Sequence, residues 1–229
     1  MPQLHSAVAV LLLIGGEIMK EYLTINSVSV GEYTEKRSKF IAGAYPCSSE
    51  AEATEILERV RSANFGANHN VYAYILRDGT TRFSDDGEPH GTAGKPVLEV
   101  VSGSKITNML VVVTRYFGGV LLGTGGLVRA YTAAAKAAVD NAKPARMCES
   151  AFYTVRFDYS FHTKMNTLIE NCGGVILNTE FTDKVEMKYV LPLNREEQLN
   201  ADICETFSSR IKANLDKYEL YPFDFDIIN

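Results

Sequence analysis

Apolar residues along the chain recur with two different periods, and the change from one to the other marks the elements. Tyr22 to Val30 alternates loosely and Lys39 to Tyr45 more regularly, which predicts two strands with the polar stretch Glu32 to Lys36 as a turn. Behind Ser48-Ser49-Glu50 the spacing becomes helical at Ala53, Ile56, Leu57, Val60 and Ala63. A helix is therefore expected to about Asn64, with Ser48 or Ser49 as its N-cap and Glu52 in its first turn. Val71 to Leu76 reads as a strand, closed by a turn at Asp78-Gly79 and continued at Thr81 to Phe83. Pro96 to Ser102 fits a short helix or a strand. Asn108 to Tyr116 is a β-branched apolar run of the kind that fills a strand covered on both faces. An alanine-rich helix follows from Leu127 to Asn141, and Lys143-Pro144 ends it.

Beyond that break the order repeats in a compact form. Ala151 to Tyr159 is a strand and His162 to Cys172 a helix stopped by Gly173-Gly174. Val175 to Thr182 and Lys184 to Leu191 form strands around a turn, Glu196 to Ser208 a helix, and Ala213 to Tyr221 a last strand. The order βαββαβ is that of a ferredoxin-like domain. The fold class expected is thus α+β in two domains, residues 19–143 and 144–229. The short apolar run Ala7 to Ile14 follows a segment without Lys or Arg and is too short to span a bilayer. Gly15-Gly16-Glu17-Ile18-Met19 back-translates to a purine-rich string ahead of a start codon, so Met19 is expected to be the start and residues 1–18 a non-native leader.

Composition narrows the function. The chain is 46% hydrophobic and 22% charged, ordinary for a globular protein. Cys47, Cys148, Cys172 and Cys204 form no CxxC pair and no zinc spacing, so reduced thiols in a cytoplasmic protein are expected, with no metal, no cofactor and no membrane. The net charge of −5 is uneven: residues 144–229 hold 9 Lys+Arg against 14 Asp+Glu, whereas residues 19–143 hold 14 against 13. An acidic second half is a poor match for a phosphate backbone, so any nucleic-acid surface belongs to the first.

Two segments of the first domain carry candidate chemistry. Asp85, Asp86, Gly87, Glu88, Pro89, His90, Gly91, Thr92 and Gly94 crowd three carboxylates and a histidine into one loop. The cluster is either an internally bonded structural loop, a ligand-organising loop, or a catalytic one with Asp85, Asp86, Glu88 and His90 as acids and bases. Thr114 to Tyr131 runs from a buried strand through Gly118, Gly119, Gly123, Gly125 and Gly126 into a helix. Helix N-termini favour anions, and Arg115 and Arg129 flank the turn, with Thr124 placed to cap it. No Walker lysine and no complete dinucleotide fingerprint is present, so neither nucleotide fold is indicated. A structural account stands equally: the glycines permit tight turns and close helix packing, while the arginines pair with the Asp85-Asp86 loop. Arg37, Lys39, His69 and Asn70 add polar groups at strand ends.

Lys36-Arg37-Ser38-Lys39-Phe40-Ile41-Ala42, His69-Asn70, Ser84 to Pro96 and Thr114 to Tyr131 together resemble the IMPACT/YigZ family. The resemblance covers nearly the whole chain from Met19. It implies a first domain like the fourth domain of elongation factor G, a mixed or antiparallel sheet with helices on one face, and a ferredoxin-like second domain like that factor's fifth. Eukaryotic relatives are linked to translational control in the general-control stress pathway and carry an additional RWD domain. The function expected is a non-enzymatic RNA- or ribosome-associated regulator of translation, with a possible protein partner in that control. The alternatives are a hydrolase acting on a phosphorylated substrate through the Asp85–Gly94 loop, and a protein-interaction adaptor. For the leading reading Arg37, Lys39, His69, Arg115 and Arg129 are expected to converge on one face beside that loop.

Overall fold

The computed structural model describes residues 21–224. The expected leader, residues 1–18, lies outside them. The described chain divides into two compact units, Tyr22–Arg146 and Met147–Phe223, and is α+β throughout.

In the N-terminal unit the strands are β1 (Tyr22–Ile25), β2 (Ser29–Glu35), β3 (Ser38–Pro46), β4 (His69–Ile75), β5 (Thr81–Ser84) and β6 (Met109–Tyr116). The helices are α1 (Glu50–Ala63), α2 (Gly94–Ser104) and α3 (Gly123–Asp140). Strands β2, β3, β6, β4 and β5 form one sheet in that order, antiparallel at every pairing. The apolar run read as one strand from Tyr22 is two strands, and the polar segment after it remains strand up to Glu35. The turn is only Lys36-Arg37, both with positive φ, of 44° and 68°. The segment that fitted either helix or strand is helical from Gly94 to Ser104.

Alternation along β3, β4 and β6 separates two cores. Phe40, Ala42, Ala44, Val71, Ala73, Val111 and Val113 face α2 and α3, joined by Ala130, Tyr131, Ala134 and Ala138. Alanines at helical spacing on α3 let it lie close to the sheet, close enough that a Cβ at Gly31 would fall 2.3 Å from the backbone nitrogen of Ala138. The alternate residues Tyr74, Leu76, Leu110 and Val112 pack with Ile56 and Leu57 of α1. Helices therefore cover both faces, not one; β6 is buried from Met109 to Arg115 because it is sandwiched between them. Ser49 is the N-cap of α1, accepting from the Glu52 amide, while the Glu52 carboxylate accepts in return from the amide of Ser48.

The C-terminal unit contains β7 (Pro144–Phe157), α4 (His162–Asn171), β8 (Val175–Phe181), β9 (Val185–Pro192), α5 (Glu196–Thr206) and β10 (Ala213–Asp224). β7 starts at Pro144, seven residues before the expected strand, since proline is tolerated as a strand's first residue. The strands lie in the order β10, β7, β9, β8. Val155, Phe157, Met187 and Tyr189 pack against Met165 and Ile169 of α4 and Leu199 and Ile203 of α5. Cys47, Cys148 and Cys172 are buried thiols and Cys204 an exposed one. Among the described residues no helix is long and apolar enough to cross a membrane, and no group of side chains is arranged to hold a metal ion.

Candidate functional site

The registers place Tyr33 opposite Phe40, Phe40 opposite Arg115, and Arg115 opposite His69. Directly paired residues share a face, so these four side chains form one row across four strands, on the side covered by α3. Arg115 is buried within it, its guanidinium 5.5 Å from the Phe40 ring centre and 5.6 Å from that of Phe117. Its Nη1 donates to Glu88 Oε1 at 2.5 Å, and Tyr131 of α3 donates to the same oxygen at 2.7 Å. Burial first, and then the bond to Glu88, hold the Tyr131 hydroxyl far above the usual phenol range, so it remains a donor. His69 Nε2 lies 3.8 Å from that oxygen, and His69 Nδ1 lies 2.8 Å from the Asp86 carbonyl. A carbonyl only accepts, so Nδ1 carries the proton of that bond and Nε2 is the free nitrogen of the neutral ring.

The carboxylate loop is closed by its own hydrogen bonds. Asp85 Oδ1 accepts from the amides of Ala93 and Gly94, and Oδ2 from that of Gly91, so Asp85 caps the N-terminus of α2 from a distance. Burial works to raise the Asp85 pKa, but the three amides outweigh it and the carboxyl sits below the usual range. Asp86, at φ 45°, accepts from the Asn70 amide at 2.7 Å and from Arg61 at 3.1 Å. Glu88 is enclosed with Arg115 and Tyr131. His90 is fully exposed, its Nδ1 3.7 Å from Asp85. Thr92 donates to the Pro89 carbonyl. Each of the three carboxylates considered as an acid or base is engaged in holding the loop, the strand end or the buried arginine.

The glycine turn is open by comparison. Gly118 is fixed by packing, since a Cβ there would fall 2.1 Å from the Arg37 carbonyl carbon. Gly119 and Gly123 take φ of 83° and 72°. The helix that follows has Leu122 as N-cap and no side-chain acceptor; Thr124, expected to cap it, lies within the first turn instead. A cleft of about 490 Å³ lies between this turn and the row, with Arg115 and Glu88 in its floor and Phe117 and Leu121 among its walls.

Of the five residues expected to converge, His69 and Arg115 do so. Lys39 pairs across the strands with Tyr116, one step from the row, so it takes the opposite face, where it bonds Glu32 at 3.0 Å. Asn70 is likewise on the far face, accepting from Thr114. Arg129 is exposed on α3, with Tyr33 within reach of its charge. Arg37 is exposed at the hairpin tip, its backbone against Gly118. Arg115, a candidate either for holding a phosphate or for pairing with the carboxylate loop, is buried and ion-paired with Glu88. Arg61 and Phe117 were not singled out by sequence. Asn68 accepts from the Phe117 amide and joins the two loops.

Residues 36–139 match the Impact N-terminal domain, and residues 155–210 match a domain of unknown function, DUF1949. The chain is 34% identical over 174 residues to the IMPACT family member YigZ of Escherichia coli, covering 74% of this chain and 85% of that protein. It belongs to the IMPACT family. The rabbit (Oryctolagus cuniculus) Protein IMPACT is 34% identical over 95 residues, 39% of this chain and 30% of that protein. A crystal structure described as that of a hypothetical protein superposes with a TM-score of 0.56 at 29% identity, over 87% of this chain and 99% of the other. Apart from Tyr33, the row, the carboxylate loop and the glycine turn fall within the Impact N-terminal match.

Proposed function

We propose that this IMPACT family protein is a non-enzymatic regulator of translation that works by associating with RNA or the ribosome, through the edge of its N-terminal unit that holds the glycine turn. The relation to eukaryotic IMPACT, whose likeness implies translational control, supports the setting. The observation that carries the binding mode is the β2–β3 turn. A two-residue hairpin with both φ positive favours Asn-Gly, and other residues there cost stability. This one holds Lys36 and Arg37, both exposed, at φ 44° and 68°. Two cations kept in a conformation that disfavours them, beside Phe117 at 45% exposed, combine phosphate attraction with a stacking surface for a single-stranded base.

The test is titration of a fluorescent single-stranded RNA over a range of salt. Replacing Lys36→Asn and Arg37→Gly together restores the residues the turn prefers, so the fold is kept while both charges go. Affinity should fall, and the slope of log affinity on log salt should flatten by about 1.4, at ~0.7 for each lost contact. Unchanged affinity overturns the reading. Phe65 at 94% and Leu121 at 82% exposed support the second reading, a protein-interaction adaptor, which gains if the wild-type chain binds no RNA.

A further inference from the structure

We infer that the cleft between His69, Arg115 and the first turn of α3 is a subsite for a phosphate monoester, the terminal phosphate of an RNA chain or of a free nucleotide. The inference rests on the RNA reading above and deepens it from association with a backbone to recognition of an end.

Three observations carry it. First, α3 is 18 residues long and starts without any side-chain acceptor for its leading amides, so its positive end is presented to the cleft that Gly123 and Thr124 line. Second, Arg115 is in the same cleft with an unspent donor. Its side chain is 7% exposed, Nη1 is used on Glu88, and the enclosed Nε has no acceptor. Only Nη1 of the fork is spent on Glu88, so the other terminal nitrogen of this cleft-lining guanidinium is left for an anion entering the cleft. Third, Gly125 is not required by packing. A Cβ there would meet only Arg129 Nη1, at 3.7 Å, and its φ is not in the left-handed region. Its bare backbone leaves the helix end approachable.

Glu88 does not oppose this. It is 4% exposed on its side chain, its charge is balanced by Arg115, and its Oε1 also accepts from Tyr131. His69 also lines the cleft, its Nδ1 held by the Asp86 carbonyl and its Nε2 left without a hydrogen bond. The floor is closed by the buried Arg115–Glu88 pair, while Phe117 and Leu121 give the wall an apolar surface for a base or ribose. A chain continuing in both directions does not fit against a closed floor, whereas a chain end does. A monoester also brings more charge and more free oxygens than a diester, matching several converging donors.

The experiment uses the full chain and measures binding of one RNA sequence with a 5′-phosphate, with a 5′-hydroxyl, and with a 3′-phosphate, together with a nucleoside 5′-monophosphate and its nucleoside. Phosphorylated ends are expected to bind at least about tenfold tighter than the hydroxyl form. Gly125→Glu sets a carboxylate over the helix N-terminus, which suits the helix and fills the anion position. It should abolish that preference without lowering the melting temperature, and Gly125→Ala should retain it. Equal binding of all three RNAs, with no binding of the monophosphate, overturns the subsite and leaves RNA association standing. Binding of the monophosphate alone, lost in Gly125→Glu, supports the subsite for free nucleotides and overturns RNA association. A preference for phosphate that survives Gly125→Glu places recognition elsewhere and overturns the inference.

Discussion

Two glycine-bearing loops border the same charged row in the N-terminal unit, and they are built in opposite ways. Between Asp85 and Gly94 the acidic groups are spent: Asp85 on three amides, Asp86 on Asn70 and Arg61, Glu88 on Arg115 and Tyr131. Between Gly118 and Gly126 the helix end has no side-chain cap, and Leu121 stands almost free in solvent. A dense cluster of charged side chains looks like chemistry in a sequence, and here each of its three carboxylates is tied to donors of the fold. The segment poor in functional groups is the one left with unmet donors. The expected difference is that damage to the first loop costs stability, and damage to the second costs binding.

The largest effect should come from Glu88→Ala, which strands the buried Arg115. Removing one partner of a buried pair costs about 3–5 kcal/mol, because the remaining charge is uncompensated. Denaturant unfolding of the N-terminal unit should show that loss, and Glu88→Gln, which still accepts from Arg115 and Tyr131, a smaller one. Near-wild-type stability in Glu88→Ala would remove the distinction between the two loops.

Asp85→Asn comes next. It takes the charge from the carboxyl that caps α2 and leaves at least one amide without its acceptor, a loss of about 1–3 kcal/mol at neutral pH. The folded-state pKa of Asp85 is depressed, so its contribution is fully present above the ordinary carboxylate value and is lost as pH falls through the lower folded value. The gap between wild type and Asp85→Asn should accordingly close in acid, below about pH 4. A gap that persisted there would mean that the amides are held by something other than the ionised carboxylate.

Periodicity made much of this fold legible. The helix at Ala53 to Ala63, the buried strand ending at Tyr116 and the βαββαβ order of the second unit follow from local spacing, which needs no partner to be read. The site was only partly legible because its residues meet through pairing. Lys39 and Arg115 each sit at a strand end, and only the register Lys39 to Tyr116 and Phe40 to Arg115 reveals that they face opposite ways. Arg61 reaches Asp86 across 25 positions, with nothing in either local sequence to link them. Glu88 stood in the loop as one of three carboxylates of undecided role, and its second donor, Tyr131, comes 43 positions later. The covering of both sheet faces was hidden for the same reason: the apolar stripe of α1 does not say which side of the sheet it meets.

The smallest effect is expected at Leu121, and its smallness is what the comparison requires. At 82% exposed, in the loop ahead of α3, Leu121 has little buried surface to lose. Leu121→Ser should change stability by no more than about 0.5 kcal/mol, the range of surface substitutions that break no cap, cavity or network. The same change removes an apolar wall from the cleft, so affinity for a phosphorylated RNA end should fall while the melting temperature stays within error. A loss above about 1 kcal/mol would show Leu121 acting as part of the fold. The turn would then be closed like the Asp85 loop, and the opposition between a segment built for stability and one built for binding would fail at its open side.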